Sequence, residues 1–130
     1  SFVDEVLVIY CAARPNQNFT SVVGWYKHAT VYRNYECIEL SFEDGSVYPQ
    51  YYNAIAKAED CVLLPKYDRR ITEWNVPRRQ SGASYGFGQA NVWFADSKTD
   101  NQYQKEFLNR IFAKIDAYNG ENWLNKFPGE

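Results

Sequence analysis

The first part of the chain alternates between apolar runs and polar turns in the manner of a β-sheet. Residues 5–12 form an apolar run rich in β-branched side chains, which predicts a buried strand. Residues 14–20 are a cluster of Pro, Asn and Gln, which predicts a turn. Residues 22–27 predict a second strand, so the two runs are expected to pair as an antiparallel hairpin.

A second hairpin is predicted farther along. After a short extended piece at residues 30–33, apolar and polar side chains alternate from residue 37 to residue 42. Asp44-Gly45 follows, and this dipeptide is the strongest short hairpin signal in the chain. Residues 46–48 are predicted to return as the partner strand.

The middle of the chain gives weaker signals. Residues 51–59 suit a short helix, and residues 61–64 suit another buried strand that ends before Pro65. Residues 66–88 contain Pro, Gly and many basic side chains with little periodicity, so we expect mostly a long loop, which in a compact domain is usually functional or disordered. Residues 89–95 predict a last strand.

The C-terminal part of the chain carries the clearest helical pattern. Thr99 and Gln102 have the spacing of a capping box at its start, and Gly120 stands where the helix is expected to end. The apolar positions that recur with helical spacing are Tyr103, Phe107, Leu108, Ile111, Phe112, Ile115 and Tyr118.

The predicted elements together indicate an α+β fold, in which a small, strongly bent mixed β-sheet or barrel carries flanking helices, including the long C-terminal one. The 130 residues suit a single domain spanning 1–130. No apolar run reaches the about 18 residues that a membrane helix needs. The acidic start is unlike a secretory signal, and the cysteines lie in apolar stretches, so we expect a reducing, cytoplasmic setting.

Catalytic and metal-binding patterns are not found. The three cysteines, Cys11, Cys37 and Cys61, show no CxxC or Cys/His spacing, so no metal site is predicted. His28 is the only histidine, and a catalytic Ser-His or Cys-His pair would have to include it. We therefore expect a non-catalytic protein without a cofactor. The alternative is a nuclease or hydrolase that uses His28 with a nearby acid such as Glu39.

Composition favours recognition. Aromatic residues make up 18% of the chain, and their rings offer flat apolar faces, with polar edges on Tyr and Trp. The net charge of −2 argues against avid, sequence-blind binding of nucleic acid, which depends on phosphate contacts. The segment from Lys66 to Arg79, however, contains five basic and two acidic residues, which gives it a local charge of +3. Trp74 lies in the middle of this basic segment.

Interleaved aromatic and basic side chains are the pattern expected of a site that grips one unstacked base and its flanking phosphates. Residues 24–33 combine Trp, Tyr, Lys, His and Arg in one short stretch. On the predicted last strand, Gln89, Asn91 and Trp93 would share one side. Amides can read the edge of a base while an indole stacks on its face.

Two stretches carry a family resemblance. LVIYCAARPNQNFTSVVGWYKHATVYR, residues 7–33, resembles the EVE/YTH group of PUA-like domains, whose second strand carries Gly followed by an aromatic residue. PRRQSGASYGFGQANVWFAD, residues 77–96, and the closing helix resemble readers of modified DNA that are attached to HNH nucleases or McrB-like motors. The resemblance implies a small β-barrel with a cage of Trp and Tyr around a flipped-out, usually methylated or hydroxymethylated base. It matches Trp25 to the aromatic residue that follows the strand-two glycine.

We therefore expect a reader domain that recognises one flipped-out modified base, methylated or hydroxymethylated cytosine in DNA foremost, and targets a fused or partner effector. A protein- or peptide-binding module with an aromatic groove is a further alternative, and the choice between DNA and RNA stays open. The expected base-binding residues are Trp25, Tyr26, Trp74, Tyr85, Gln89, Asn91 and Trp93. The expected phosphate-binding residues are Lys27, Arg33, Lys66, Arg69, Arg70, Arg78 and Arg79.

Overall fold

The computed structural model describes residues 1–14, 16, 19–79, 82–89 and 92–126. β1 and β3 each pair with β2 along the main path of one sheet, and β4 and β5 pair with β2 elsewhere along its length. The described residues contain one α-helix beside short 3-10 turns. The elements are β1 (Phe2–Ala13), β2 (Phe19–Ser41), β3 (Val47–Ile55), β4 (Cys61–Leu63), β5 (Asn75–Pro77) and α1 (Gln102–Ala117).

This arrangement is a small α+β fold with an open, mostly antiparallel sheet, which confirms the predicted class. The closure of the sheet into a barrel and its PUA-like type stay predictions. No helix among the described residues is both long and apolar enough to cross a membrane.

The predicted Asp44-Gly45 hairpin is confirmed. β2 and β3 pair antiparallel from Ser41 opposite Val47 onward, and Gly45 takes the positive φ of +86° that such a turn requires. The Asp44 carboxylate accepts hydrogen bonds from the hydroxyl and the backbone N–H of Ser46. These bonds stabilise the charged form and hold the pKa of Asp44 below its ordinary value.

The helix predicted over residues 51–59 is wrong. β3 runs to Ile55, and only a 3-10 turn follows at Ala58–Asp60. The hairpin turn fixes the register, so Tyr51 and Tyr52 lie directly opposite Cys37 and Glu36 of β2. Pairing with a strand already in place satisfies their backbone groups, and this outweighs the high helix propensity of the alanines nearby.

The strand predicted over residues 89–95 is also wrong in its described part. Gln89 and residues 92–95 are irregular, and Asn91 lies outside the described residues. The preceding segment makes the contacts instead, because Phe87 pairs with Arg78 in an isolated parallel bridge. The expected long loop likewise contains two 3-10 turns, Asp68–Arg70 and Thr72–Trp74, and the strand β5.

The predicted C-terminal helix is confirmed, but both of its ends differ from the prediction. Asn101 is the N-cap, since its side chain accepts the Gln104 N–H at 3.1 Å, whereas Thr99 accepts the N–H of Asn101 outside the helix. The helix ends where Tyr118 turns to extended backbone, so Gly120 does not cap it. Its buried face consists of Phe107, Leu108, Ile111 and Ile115.

The chain divides into two compact units, each built from two segments. The first unit is Ser1–Ile9 with Trp25–Val62, and the second is Tyr10–Gly24 with Leu63–Glu130. The buried apolar residues of the first unit are Trp25, Ala29 and Cys61. Those of the second unit include Val22, Leu64, Trp74, Val76 and the buried face of α1.

Candidate aromatic binding site

Four rings of the second unit form what we call the Trp93 cluster: Tyr85, Phe87, Trp93 and Phe107. The Trp93 ring centre lies 6.4 Å from that of Tyr85, 6.2 Å from that of Phe87 and 6.1 Å from that of Phe107. Phe107 is 5% exposed, whereas the other three residues are half-buried. The cluster therefore has an apolar floor supplied by α1 and three rings that keep part of their surface in solvent.

Backbone contacts hold the segment that carries two of these rings. The Phe87 N–H donates to the Pro77 carbonyl at 3.1 Å, and the Arg79 N–H donates to the Phe87 carbonyl at 2.8 Å. Between the rings, Gly86 has a φ of +107°, and a Cβ added there would lie 2.0 Å from the Pro77 oxygen. Only glycine allows this approach, which brings the segment against the end of β5.

The start of α1 ties the segments on either side of the cluster. Asn101 donates from Nδ2 to the Ser84 carbonyl at 3.2 Å and to Ser84 Oγ at 3.1 Å. Gln104 donates from Nε2 to the Asp96 carbonyl at 2.9 Å. One tie precedes the first ring of the cluster and the other follows its tryptophan, so α1 positions both ring-bearing segments.

Positive charge borders the rings. The guanidinium carbon of Arg110 lies 5.4 Å from the Phe107 ring centre, which is a cation–π distance. Arg78 and Arg79 are held next to Phe87 by backbone pairing. None of these arginines forms an ion pair with a carboxylate of the described residues.

The other predicted phosphate-binding residues of the second unit differ in their exposure and in whether their side chains already form hydrogen bonds. Lys66 and Arg70 are exposed, and neither forms an ion pair within the described ranges. Arg69 is half-buried and donates from Nε to the Leu64 carbonyl at 2.7 Å. A guanidinium that is already bonded to the backbone has fewer donors left for a phosphate, so Lys66 and Arg70 are better placed for that role.

The spacing of the rings decides how a flat ligand can bind. A heterocycle sandwiched between two rings needs about 7 Å between them, twice an ordinary carbon contact. Tyr85 and Trp93 stand 6.4 Å apart and are tilted by 39°, which is just short of a parallel slot. A base therefore fits this arrangement by stacking on one open ring face, without entering the gap between the two.

Two of the predicted stacking residues are core residues. Trp25 is 1% exposed and Trp74 is 2% exposed. Trp74 sits in a 3-10 turn, with the Tyr118 ring centre 6.4 Å away and Lys114 Nζ 4.9 Å from its own ring centre. Neither indole offers an open face, so the candidate site does not include them.

The remaining predicted residues are divided between the units. Tyr26 and Lys27 are half-buried and Arg33 is exposed, and all three belong to the first unit. Gln89 is exposed in the second unit, in the irregular segment between Phe87 and Trp93. Of the predicted base-binding residues, the structure thus brings Tyr85 and Trp93 into direct ring contact.

His28 has a partner other than the acid of the hydrolase alternative. Its Nδ1 lies 2.7 Å from Glu5 Oε2, whereas Glu39 lies on β2 opposite Pro49. Both partners are exposed, and the hydrogen bond to Glu5 raises the pKa of His28 above its ordinary value. Within the described ranges, no three His, Cys, Asp or Glu side chains group closely enough to hold a metal ion. An exposed His–Glu pair is an ordinary surface contact and does not favour catalysis.

Sequence reasoning missed three participants in the site. Phe107 was assigned to the helix core, which is correct, but its ring is also the floor of the cluster. Arg110 follows it by one helical turn and could have been found as its i, i+3 neighbour. Phe87 lies between two glycines, a position that gave no periodic signal.

No family model, curated protein or solved structure matches this chain.

Proposed function

We propose that the chain is a non-catalytic reader domain of the EVE/YTH-like, PUA-like type. In this proposal it binds nucleic acid by stacking one flipped-out base, foremost a methylated or hydroxymethylated cytosine in DNA, on the Trp93 cluster. It would thereby direct a fused or partner nuclease or motor to modified DNA. The observation that carries the proposal is the set of half-buried rings at Tyr85, Phe87 and Trp93 bordered by arginines without described carboxylate partners.

The energetics support a single stacked base. Stacking on an aromatic side chain contributes about 1–3 kcal/mol per base, and extruding a base from a duplex costs a few kcal/mol. The free energy gained from one ring face and two or three phosphate contacts is therefore close to the cost of extruding the base. This favours a ligand whose base is already unpaired or easily extruded, and a modest affinity that a fused effector would raise through its own contacts.

The phosphate contacts are proposed for Arg78 and Arg79 beside the rings, together with the exposed Lys66 and Arg70. Gln89 is the proposed reader of the base edge, because its exposed amide lies in the segment that joins Phe87 to Trp93. A cytosine modification adds an apolar or hydroxyl group at the rim of the ring, where it would meet the half-buried aromatic surface.

The decisive experiment measures affinity for oligonucleotides that differ only in cytosine modification. Trp93→Ala is expected to weaken binding of the preferred oligonucleotide by about 1–3 kcal/mol, or about 5- to 150-fold, because it removes the stacking face. Tyr103→Ala is the matched control, since Tyr103 is a 70% exposed aromatic residue of α1 outside the cluster. Equal losses in both variants, or no preference for any modified base, would contradict the proposal.

A salt titration separates this function from a peptide-binding groove. Nucleic-acid binding should weaken steeply with added salt through counterion release, whereas an apolar protein contact should change little. Arg79→Gln is expected to lower the slope of log affinity against log salt by about one, with Lys98→Gln as a control elsewhere in the second unit. A flat salt response would favour the peptide-binding alternative.

A further inference from the structure

Residues 36–52 form a two-stranded ribbon that lies open to solvent on both faces. Glu36–Ser41 of β2 pair with Val47–Tyr52 of β3, and every residue of the ribbon is exposed except the half-buried Ser46 and Tyr52. Two strands without a covering layer are marginally stable in water. The ribbon therefore has the character of a surface that is covered when the protein is assembled.

One face of the ribbon is an apolar stripe. Residues that oppose each other in an antiparallel pair share a face, and Leu40 lies opposite Tyr48. The Tyr48 ring contacts the Phe42 ring edge-on at 5.6 Å. Ile38, Leu40, Phe42 and Tyr48 are 50%, 40%, 52% and 58% exposed. Contiguous exposed apolar patches are typical of interaction surfaces, whereas single exposed apolar residues are ordinary.

The charge of the ribbon narrows the choice of partner. Glu36, Glu39, Glu43 and Asp44 lie within it, and no Lys or Arg occurs between Asn34 and Ala56. The first unit as a whole has three basic and eight acidic residues, a net charge of −5, whereas the second has eleven basic and eight acidic residues, a net charge of +3. The ribbon thus calls for a basic surface that also offers apolar contacts.

This chain carries such a surface in its second unit. Residues 66–71, which we call the basic patch, combine the exposed cations Lys66 and Arg70 with Tyr67 and Ile71, which are 56% and 41% exposed. The two cations have no carboxylate partner among the described residues. Opposite charge and apolar area therefore occur together on both surfaces.

We infer that the ribbon of one copy docks on the basic patch of a second copy, and that the two copies make this contact reciprocally in a symmetric dimer. A dimer of this kind uses each complementary pair twice, which strengthens a contact that is weak by itself. The inference concerns assembly and does not require the proposed nucleic-acid function, although Lys66 and Arg70 take part in both.

The first test measures the mass of the full chain by sedimentation over a concentration series up to about 1 mM. Ile38→Ser combined with Leu40→Ser is expected to raise the dimer dissociation constant at least about tenfold, because it removes the centre of the stripe. Val3→Ser is the control, since Val3 is 63% exposed in the first unit outside the ribbon. A wild-type chain that stays monomeric throughout, or a dimer that both variants leave intact, would overturn the inference.

The second test reverses charge on each surface. A ribbon variant with Glu36→Lys and Glu43→Lys, and a patch variant with Lys66→Glu and Arg70→Glu, are each expected to be monomeric alone. Their equimolar mixture is expected to form a heterodimer, because each ribbon then meets a patch of opposite charge. This recovery also shows that both variants are folded.

A patch variant that dimerises alone as the wild type does, or a mixture that stays monomeric, would overturn the inference. Lys98→Glu with Lys105→Glu removes the same charge from the second unit elsewhere. This control is expected to leave the dimer in place.

Discussion

Trp74 and Trp93 show, at the scale of single residues, how surroundings decide what an indole can do. Trp74 is buried and contacts the Tyr118 ring and the Lys114 ammonium group, so its ring contributes packing and a cation–π contact. Trp93 touches three rings but remains half-buried. Trp74 therefore stabilises the second unit, whereas Trp93 keeps ring surface on which a ligand could stack.

The buried hydroxyl groups of Ser21 and Thr20, neighbours on β2, differ in whether they have a hydrogen-bond partner. Ser21 Oγ is buried without a hydrogen-bond partner among the described residues, and so is Oδ1 of Asn75, which lies opposite it. A buried polar group without a hydrogen-bond partner has lost its bonds to water and does not stabilise the fold. Ser21→Ala is therefore expected to leave the free energy of unfolding unchanged or to raise it, as measured by urea denaturation.

Thr20 is the matched comparison for that measurement. Its Oγ1 donates to the Val76 carbonyl at 3.3 Å, and the residue is as buried as Ser21. Thr20→Val keeps the shape and removes the bond, so it is expected to lower the free energy of unfolding by about 0.5–1.5 kcal/mol. A larger loss for Ser21→Ala than for Thr20→Val would show that Ser21 has a partner, such as an ordered water molecule.

At the scale of elements, local patterns predicted what depends on local chemistry. The run at residues 5–12, the Asp44-Gly45 turn and the apolar face of α1 are each specified within a short stretch, and the strand, turn and helix that they predict are confirmed. The expected burial of residues 5–12 is wrong, since each of them is exposed or half-buried. Residues 51–59 were misjudged because their conformation is set by pairing with β2. Residues 89–95 resemble a strand in composition, but composition does not reveal whether a free strand edge is available to pair with.

The candidate site was predictable to a similar extent. Tyr85 and Trp93 were chosen for ring type and glycine-rich context, and they do lie together. Trp74 was chosen from its basic neighbours in sequence, but it is buried and packs against Lys114 and Tyr118, far along the chain. Local sequence does not report such distant packing, so exposure was the property that it predicted least well.

The start of α1 provides a prediction in which one side chain has two separable tasks. Asn101 caps the helix through Oδ1 and ties Ser84 through Nδ2. Asn101→Ala removes both and is expected to lower the free energy of unfolding by about 1–2 kcal/mol. Asn101→Asp keeps the cap and loses the amide donor. It is therefore expected to retain most of the stability while weakening binding at the Trp93 cluster.

Thermal unfolding and ligand titration of the same two variants check this separation. Ser97→Ala serves as the control, because Ser97 is an exposed residue before the helix. If Asn101→Asp bound ligand as tightly as the wild type, the tie to Ser84 would have no part in positioning the rings.

At the scale of the whole molecule, the uneven distribution of charge matters more than the total. A net charge of −2 conceals one unit at −5 and another at +3. The acidic ribbon and the phosphates of a nucleic acid would both be attracted to Lys66 and Arg70. Lys66 and Arg70 would therefore serve both the dimer contact and the nucleic acid, which leads to a joint prediction.

Oligonucleotide is expected to shift the protein from dimer to monomer, because both ligands of the basic patch cannot occupy it together. Sedimentation with a labelled oligonucleotide should show a complex with one protein copy at protein concentrations that otherwise give dimer. A complex that keeps two copies would show that nucleic acid binds elsewhere, at Arg78 and Arg79 without Lys66 and Arg70. In that case the protein could dimerise and bind nucleic acid at the same time.

Gly86 sets a limit on how this site could be redesigned. Any added side chain at that position would collide with the Pro77 carbonyl and would also have to accept a backbone conformation that L-residues avoid. The two ring positions beside it have no such restriction, since their side chains project into half-open surroundings. Variants that change the ring surface proposed to stack on a base can therefore be made at positions 85 and 87, whereas position 86 should stay without a side chain.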